Sequence, residues 1–375
     1  MLAASQRSDG AVTLRGVPAF NIRSSREKTP VSHTTPTGTA DVIDAPAGQT
    51  ANTVLGPVPA SELGVVAVHE ALLSVLPGAQ YAPDISMDRA EIFEALAAKL
   101  TEFRGFGGQT IVDSTGMFHG RDLKLYEALS RSTGVHIVAS TGLGPEEELG
   151  GYFLTPQTNP PTPWPAEKFA DLFGREVSEG MVAPRLERRA AAGIVAAIAD
   201  RAGLTPTEES LFRGSARAAR DTGIPVSIRF GADALHDLDI VLDEQIGAER
   251  VLVGDLDRKD AAGTAIEVAR RGAFVGIDHV GLNDHPGYLS DQERTALVLE
   301  LVSAGHAGKI ILSGNSIGVA KGLPEYELPY SHVVATFVPH LKTQGLSDED
   351  AQRMLVDNPR NLLTVRSAPA HPQQA

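Results

Sequence analysis

Gly64-Val65-Val66-Ala67-Val68-His69-Glu70-Ala71-Leu72 is the stretch on which the fold turns. Its small and β-branched residues, preceded by Pro57 and Pro59, read as a buried strand. His69 stands where that strand would end. Side chains two apart on a strand share a face, so His69 and Ala71 would both point to the mouth of a closed barrel. Glu70, between them, would face the surrounding helices as a structural residue.

Downstream, short apolar runs alternate with amphipathic segments. Strands are expected over 110–114, 135–140, 193–198, 225–229, 251–255, 274–278 and 310–315. Helices are expected over 88–103, 121–132, 166–180, 205–222, 235–246, 260–271, 290–304, 330–345 and 347–356. Asp88 and Thr205 stand as N-caps, and Thr205-Pro206-Thr207-Glu208 carries a capping box with proline at the first helical position. Residues 144–165 read as a long loop holding Tyr152, Phe153 and the single tryptophan, Trp164. With the opening stretch, this makes eight buried strands separated by helices. Such βα units require right-handed parallel crossovers, and eight of them form an α/β (β/α)8 TIM barrel. An open doubly wound sheet would need a glycine-rich phosphate turn after its first strand, and none is present.

The barrel is expected over 51–365, behind an extended or partly disordered N-terminal arm over 1–50 and before a tail over 366–375. The arm is rich in Ser, Thr, Pro and Gly, too poor in large apolar residues to offset its ordering entropy. Within it, 11–14 is expected as a short docking strand.

The 375 residues are 42% hydrophobic and carry a net charge of −14, which argues against a nucleic-acid partner. Cysteine is absent, so neither disulfides nor thiolate metal sites are expected. No long apolar run suggests a membrane span, and the N-terminus has no secretory pattern. The expectation is a cytoplasmic chain with a small-molecule substrate, compatible with a homodimer.

The order of motifs resembles the phosphotriesterase-like group of the amidohydrolase superfamily. The motifs are Thr53-Val54-Leu55-Gly56-Pro57, His69-Glu70, Gly120-Arg121-Asp122, Ala139-Ser140-Thr141-Gly142, Ala192-Gly193-Ile194-Val195, Gly223-Ile224-Pro225-Val226, Asp257-Arg258, Pro339-His340-Leu341-Lys342 and Asp357-Asn358-Pro359-Arg360-Asn361. The resemblance implies two divalent metals at the barrel mouth. The family's ligands are a His-x-His on the first strand, a carboxylated lysine on the fourth, histidines on the fifth and sixth, and an aspartate on the eighth. Carried over one by one, these positions fall on His69, Ala71, Ala196, Arg229, Asp255 and Asn315. One ligand is kept. A guanidinium in the cage opposes a divalent cation, so neither a binuclear centre nor any cofactor is expected. A single ion on His69, Asp255 and Asn315 is the alternative.

The expected mouth gathers His69, Asp113, Ser114, Arg229, Asp255, Asp278, His279 and Asn315. His69, Asp278, Arg229, Asp255 and Asn315 are the catalytic candidates. His69 or Asp278 would serve as base. Arg229, paired with Asp255, would hold an anion or oxyanion with help from Asn315. Ser114, His119, Tyr152, Trp164, His279 and His285 are the substrate-binding candidates, with His279 turned away along its strand. The expectation is a metal-independent enzyme acting on a small organic substrate, for which the resemblance implies cleavage of an ester, lactone or phosphoester. The alternatives are a non-catalytic pseudoenzyme or binding protein plugged by the Arg229–Asp255 pair, a metal-free lyase, isomerase or cyclase, and a monometallic hydrolase.

Overall fold

The computed structural model describes residues 49–153, 163–183, 187–261, 263–324 and 328–367, with side chains undescribed over 150–153. Of the arm expected over 1–50, residues 1–48 with the strand at 11–14 lie outside the described residues, as does the expected tail beyond 367, whereas Thr50 already belongs to a strand.

A hairpin comes first. β1 (Thr50–Thr53) pairs antiparallel with β2 (Gly56–Pro59). Then come β3 (Val65–Val75), β4 (Gly108–Asp113), β5 (His136–Leu143), β6 (Ile194–Ile198), β7 (Val226–Arg229), β8 (Val251–Gly254), β9 (Phe274–Ile277) and β10 (Ile310–Leu312), with each strand from β4 onward parallel to the one before. The chain runs on from β10 through residues 313–316 into β11 (Ile317–Lys321), which pairs parallel with β3. β10 and β11 together form the eighth stave and close the barrel, as the (β/α)8 reading requires.

Helices cross between the staves at Arg89–Gly105, Leu123–Thr133, Ala166–Ser178, Pro206–Thr222, Ala234–Leu242, Thr264–Arg270 and Asp291–Ser303. Asp88 caps the first by accepting from Ala90 N and Glu91 N, and Thr205 and Ser290 form capping boxes with Glu208 and Glu293. No helix among the described residues is long and apolar enough to cross a membrane.

Several sequence expectations need correction. The 144–165 stretch is not wholly loop: Glu146–Phe153 is helical. The helix expected over 260–271 shortens to Thr264–Arg270, because Gly263 takes a left-handed φ of 81° just before it. The 330–345 segment is a π-helical turn, Val333–Phe337, followed by Val338–Thr343. Likewise 347–356 divides into Asp348–Gln352 and a second π turn, Arg353–Asp357, before Asn358–Leu363. Each π turn immediately precedes a segment with Pro339 or Pro359 at its start. Proline has no N–H for the usual i→i−4 bond, so the ladder widens there.

A further correction concerns β3. The strand does not end at His69 but runs on to Val75, with a register shift between Ala67 and Glu70. Val66 and Val68 sit in an interior cluster with Val112, Val138, Ile194, Leu252, Phe274 and Ile311. Strict alternation would then turn His69 outward. Its φ of 60° inverts the backbone and sends the imidazole inward as well.

Glu70 does not serve the helices. Its buried carboxylate reaches across the closing seam and accepts from Ser313 Oγ (3.0 Å), Gly314 N (3.1 Å) and Ser316 N (2.5 Å). Ala71 N adds a bond to Ser316 O at 2.9 Å. Burial pushes the Glu70 carboxyl up to about 7 against the lowering effect of these donors. Asp113 is a second latch. It accepts from Leu72 N (2.8 Å), Tyr126 OH (3.0 Å) and the Thr115 hydroxyl, and burial raises its pKa.

Asp257 ties the sixth and seventh staves. It accepts from His279 N (2.9 Å), His279 Nδ1 (2.9 Å) and Arg294 Nε (2.7 Å), with Arg294 wholly buried. Burial pushes its carboxyl up, but the hydrogen bond and charge of His279 and the Arg294 guanidinium outweigh it and bring it to about 2.

Two predictions follow from these latches. Glu70→Ala leaves two backbone N–H groups and one hydroxyl without their acceptor, so urea titration should show a loss of roughly 3 kcal/mol or more. The Asp257 pKa is depressed below its ordinary 3.8. Its stabilisation is therefore complete above about pH 4 and is lost as pH falls toward 2. Asp257→Asn should be less stable than wild type by roughly 2 kcal/mol at pH 7, at 1.36 kcal/mol per unit. Chemical denaturation should show that gap narrowing as pH falls from 4 toward 2.

Candidate active site

Three side chains meet inside the mouth. His69 Nδ1 lies 2.8 Å from Asp278 Oδ2, and His69 Nε2 faces Ser227 Oγ in a short hydrogen bond. They come from β3, the end of β9 and β7, across the barrel from one another. Their exposures are 1% for His69, 0% for Asp278 and 3% for Ser227. Gly254 lets them approach. A Cβ there would stand 2.7 Å from Asp278 Oδ2 and 2.8 Å from His69 Cε1. Asp278 Oδ2 also accepts from Asp255 N at 2.7 Å. Burial pushes the Asp278 carboxyl up, but the charge and hydrogen bond of His69 and the charge of Arg229 more than offset it, so its pKa is lowered.

Toward solvent lies a second group. Arg229 Nη2 donates to Asn315 Oδ1 at 2.5 Å, and Arg229 Nε stands 3.7 Å from Asp255 Oδ1. The expected Arg229–Asp255 pairing is thus present but looser than the Arg229–Asn315 bond. His279 was expected to turn away, and it does not. Its buried ring is fixed through Nδ1 by Asp257, and its Nε2 comes within 3.4 Å of Asn315 Nδ2 and 3.8 Å of Asp255 Oδ1. Asp255 (φ 60°) and Asn315 (φ 48°) share the left-handed backbone of His69.

Arg229 and Asp255 help line a cleft of about 390 Å³, together with His119, Pro145, Glu147, Glu148, Asp200, Arg201, Phe230 and Tyr288. His119 is held by Gly144 O at 2.9 Å through Nε2, and its Nδ1 lies 3.4 Å from Glu148. Tyr288 stacks on His279 with ring centroids 3.7 Å apart and meets Arg201 through its hydroxyl.

Other candidates fall elsewhere. Ser114 is outside the cleft lining, its N–H bonded to Glu70 O at 2.9 Å, because the strand end carrying it serves the Asp113 latch. His285 is exposed, with Nδ1 accepting from Gly287 N, and it packs against the outer side of Tyr288 rather than lining the cleft. Trp164 packs on Phe169 at 5.4 Å under Lys168 instead of forming a wall of this cleft. The Tyr152 side chain lies outside the described residues. Sequence reasoning missed Ser227 and Tyr288. For Ser227 the available signal was its place two residues before Arg229, hence on the same face of the strand.

At the positions where the resemblance expects metal ligands, Ala71 and Ala196 carry no donor atom, and Arg229 is a cation. His69 Nε2 is already hydrogen-bonded to Ser227, and its Nδ1 lies 2.8 Å from the Asp278 carboxylate. Among the described residues, no three His, Cys, Asp or Glu side chains are grouped to hold a metal ion.

The phosphotriesterase family model matches residues 49–363. A phosphotriesterase homology protein of Mycobacterium tuberculosis is 30% identical over 324 residues, covering 83% of this chain and 96% of its own. An aryldialkylphosphatase of Saccharolobus solfataricus is 26% identical, with 82% and 97% covered. Among solved structures, the phosphotriesterase from Mycobacterium tuberculosis superposes with a TM-score of 0.75 at 29% identity, covering 85% of this chain and all of the other (100%). A mutant of a Deinococcus radiodurans lactonase of the same type gives 0.73 at 26% identity, with 84% and 100% covered. The chain therefore belongs to the phosphotriesterase family.

Proposed function

We propose that this chain is a hydrolase of the ester or lactone type that works without a metal centre. His69 is its base, Asp278 orients that base, and Arg229 with Asn315 gathers the negative charge that develops on the substrate oxygen. The observation that carries this reading is the imidazole with Nδ1 2.8 Å from Asp278, below a cleft lined by the Arg229 guanidinium. A carboxylate on Nδ1 fixes the tautomer in which Nε2 accepts a proton, and it stabilises the imidazolium that follows. The relatives named above as phosphotriesterase, aryldialkylphosphatase and lactonase support a hydrolytic reaction. A cleft of about 390 Å³ suits a small organic substrate.

The donor set does not fit the two-metal centre that the family resemblance implies. A bridged pair needs an anionic bridge and several imidazoles. Here the bridging position is Ala196, and a fixed positive charge stands at Arg229. No step is therefore routed through a metal. A second reading, a binding protein whose former metal cavity is filled, draws support from the nearly complete burial of His69, Ser227 and Asp278.

Two measurements decide. Hydrolysis of an activated aryl ester or a small lactone should persist unchanged after exhaustive chelation, with elemental analysis reporting less than one metal per chain. Loss of turnover on chelation, restored by zinc, would sink the metal-free chemistry. In the same assay, Arg229→Ala should lower kcat by about 10²–10³-fold, the usual effect of losing one oxyanion donor. A kcat unchanged in that variant would remove Arg229 from the reaction.

A further inference from the structure

We propose that Ser227 is a nucleophile, completing a Ser227–His69–Asp278 triad, and that ester or lactone cleavage passes through an acyl-enzyme on its oxygen. This rests on the hydrolase reading and adds a covalent step to it. The arrangement has the order found in nucleophilic hydrolases, with a hydroxyl hydrogen-bonded to Nε2 and a carboxylate oxygen 2.8 Å from Nδ1. Such a constellation is recognised by geometry and not by chain order, which here runs His69, Ser227, Asp278.

The three groups stand on staves of the barrel, which gives them a rigid mounting. The left-handed backbone at His69 turns the imidazole inward toward Ser227. Gly254 leaves the space in which His69 and Asp278 meet. Ser227 lies two residues before Arg229 on β7 and so one layer beneath the cleft floor. Its register neighbour on β6 is Ala196.

The step balances as follows. Ser227 Oγ attacks the carbonyl carbon as its proton passes to His69 Nε2, with the oxyanion drawn toward Arg229. The carbon–oxygen bond to the leaving group breaks, and the departing alkoxide takes the proton from Nε2. Water then attacks the acyl group and gives a proton to Nε2. The carboxylic acid leaves, and that proton returns to Ser227 Oγ. With a lactone, alcohol and acid remain in one molecule.

The full-length protein, treated with chelator, is exposed to an alkyl fluorophosphonate and analysed by intact mass and peptide mapping. The expected result is one phosphonyl adduct, on Ser227, absent in Ser227→Ala and formed at least about 10²-fold more slowly in His69→Gln. Absence of that adduct in folded wild-type protein overturns the triad. So does a Ser227→Ala variant that keeps its kcat while His69→Gln loses it; in that case water is the nucleophile and only the simpler hydrolase reading stands. Wild type that forms the adduct but hydrolyses neither esters nor lactones upholds the triad and removes the substrate class. Should Ser227→Ala fail to fold, Ser227→Cys provides the second readout. The chain has no cysteine of its own, so alkylation by iodoacetamide at neutral pH reports the introduced thiol alone. That alkylation is expected to be fast with His69 present and slow in the Ser227→Cys, His69→Gln double variant. Equal rates in the two would overturn the pairing.

Discussion

A left-handed backbone turn at His69 is the constraint on which the barrel mouth depends. In a regular strand the residue after Val68 would leave the interior. The inversion at φ 60° keeps His69 inside, while Glu70 takes the seam between the first and eighth staves. Two successive residues thereby perform tasks that ordinary alternation would assign to opposite faces. The imidazole reaches across to Ser227 and Asp278. The carboxylate next to it binds the turn that converts β10 into β11, and so closes the barrel.

The same inversion recurs at Asp255 and Asn315, and the three together are costly. A non-glycine residue in this region costs about 1–3 kcal/mol unless its surroundings hold it there, though His, Asp and Asn are among the more tolerant. Two buried carboxylates supply that hold. Asp278 accepts from Asp255 N and contacts His69, so it secures two of the three turns. Glu70 accepts from Gly314 N and Ser316 N, on either side of Asn315, and secures the third. The strain and the groups that offset it are concentrated at the end of the barrel where the candidate reacting groups meet. Strain that persists under such support points to a site.

Much of this was legible in the residues, and the failures have physical causes. Helix starts could be read because Asp88, Thr205 and Ser290 satisfy their own helices' N–H groups locally. The inward staves could be read because buried parallel strands are short apolar runs. The hairpin of β1 and β2 and the whole of β11 were missed. Gly56-Pro57-Val58-Pro59 has none of the usual strand composition, and Ile317–Lys321 is held by pairing with β3, which local sequence does not announce. The catalytic candidates His69, Asp278, Arg229, Asp255 and Asn315 were placed by counting strand ends, and they do lie together. Their partners were harder. Ser227 is an ordinary small residue in an apolar run, and only the inverted backbone at His69, 158 positions away, makes it a hydrogen-bond partner. Glu70 was assigned to the wrong environment for the same reason, since alternation cannot be extrapolated through a bulge.

Charge completes the account of the mouth. Asp257 and Asp278 lie close together there, and carboxylates this buried remain ionised only beside cations. Arg294 serves Asp257 from inside the wall. Arg229 serves the cleft side, 3.7 Å from Asp255 and near enough to lower Asp278. At such a separation, and at the effective dielectric of a protein surface, one pair of charges is worth about 4 kcal/mol before desolvation is counted. A histidine at residue 229 would provide that charge only when protonated, whereas a guanidinium carries it at every working pH. Arg229 thus helps to lower the Asp278 pKa, behind the larger effect of His69. Asp278 sits 2.8 Å from His69 Nδ1, and the other ring nitrogen, Nε2, faces the Ser227 hydroxyl.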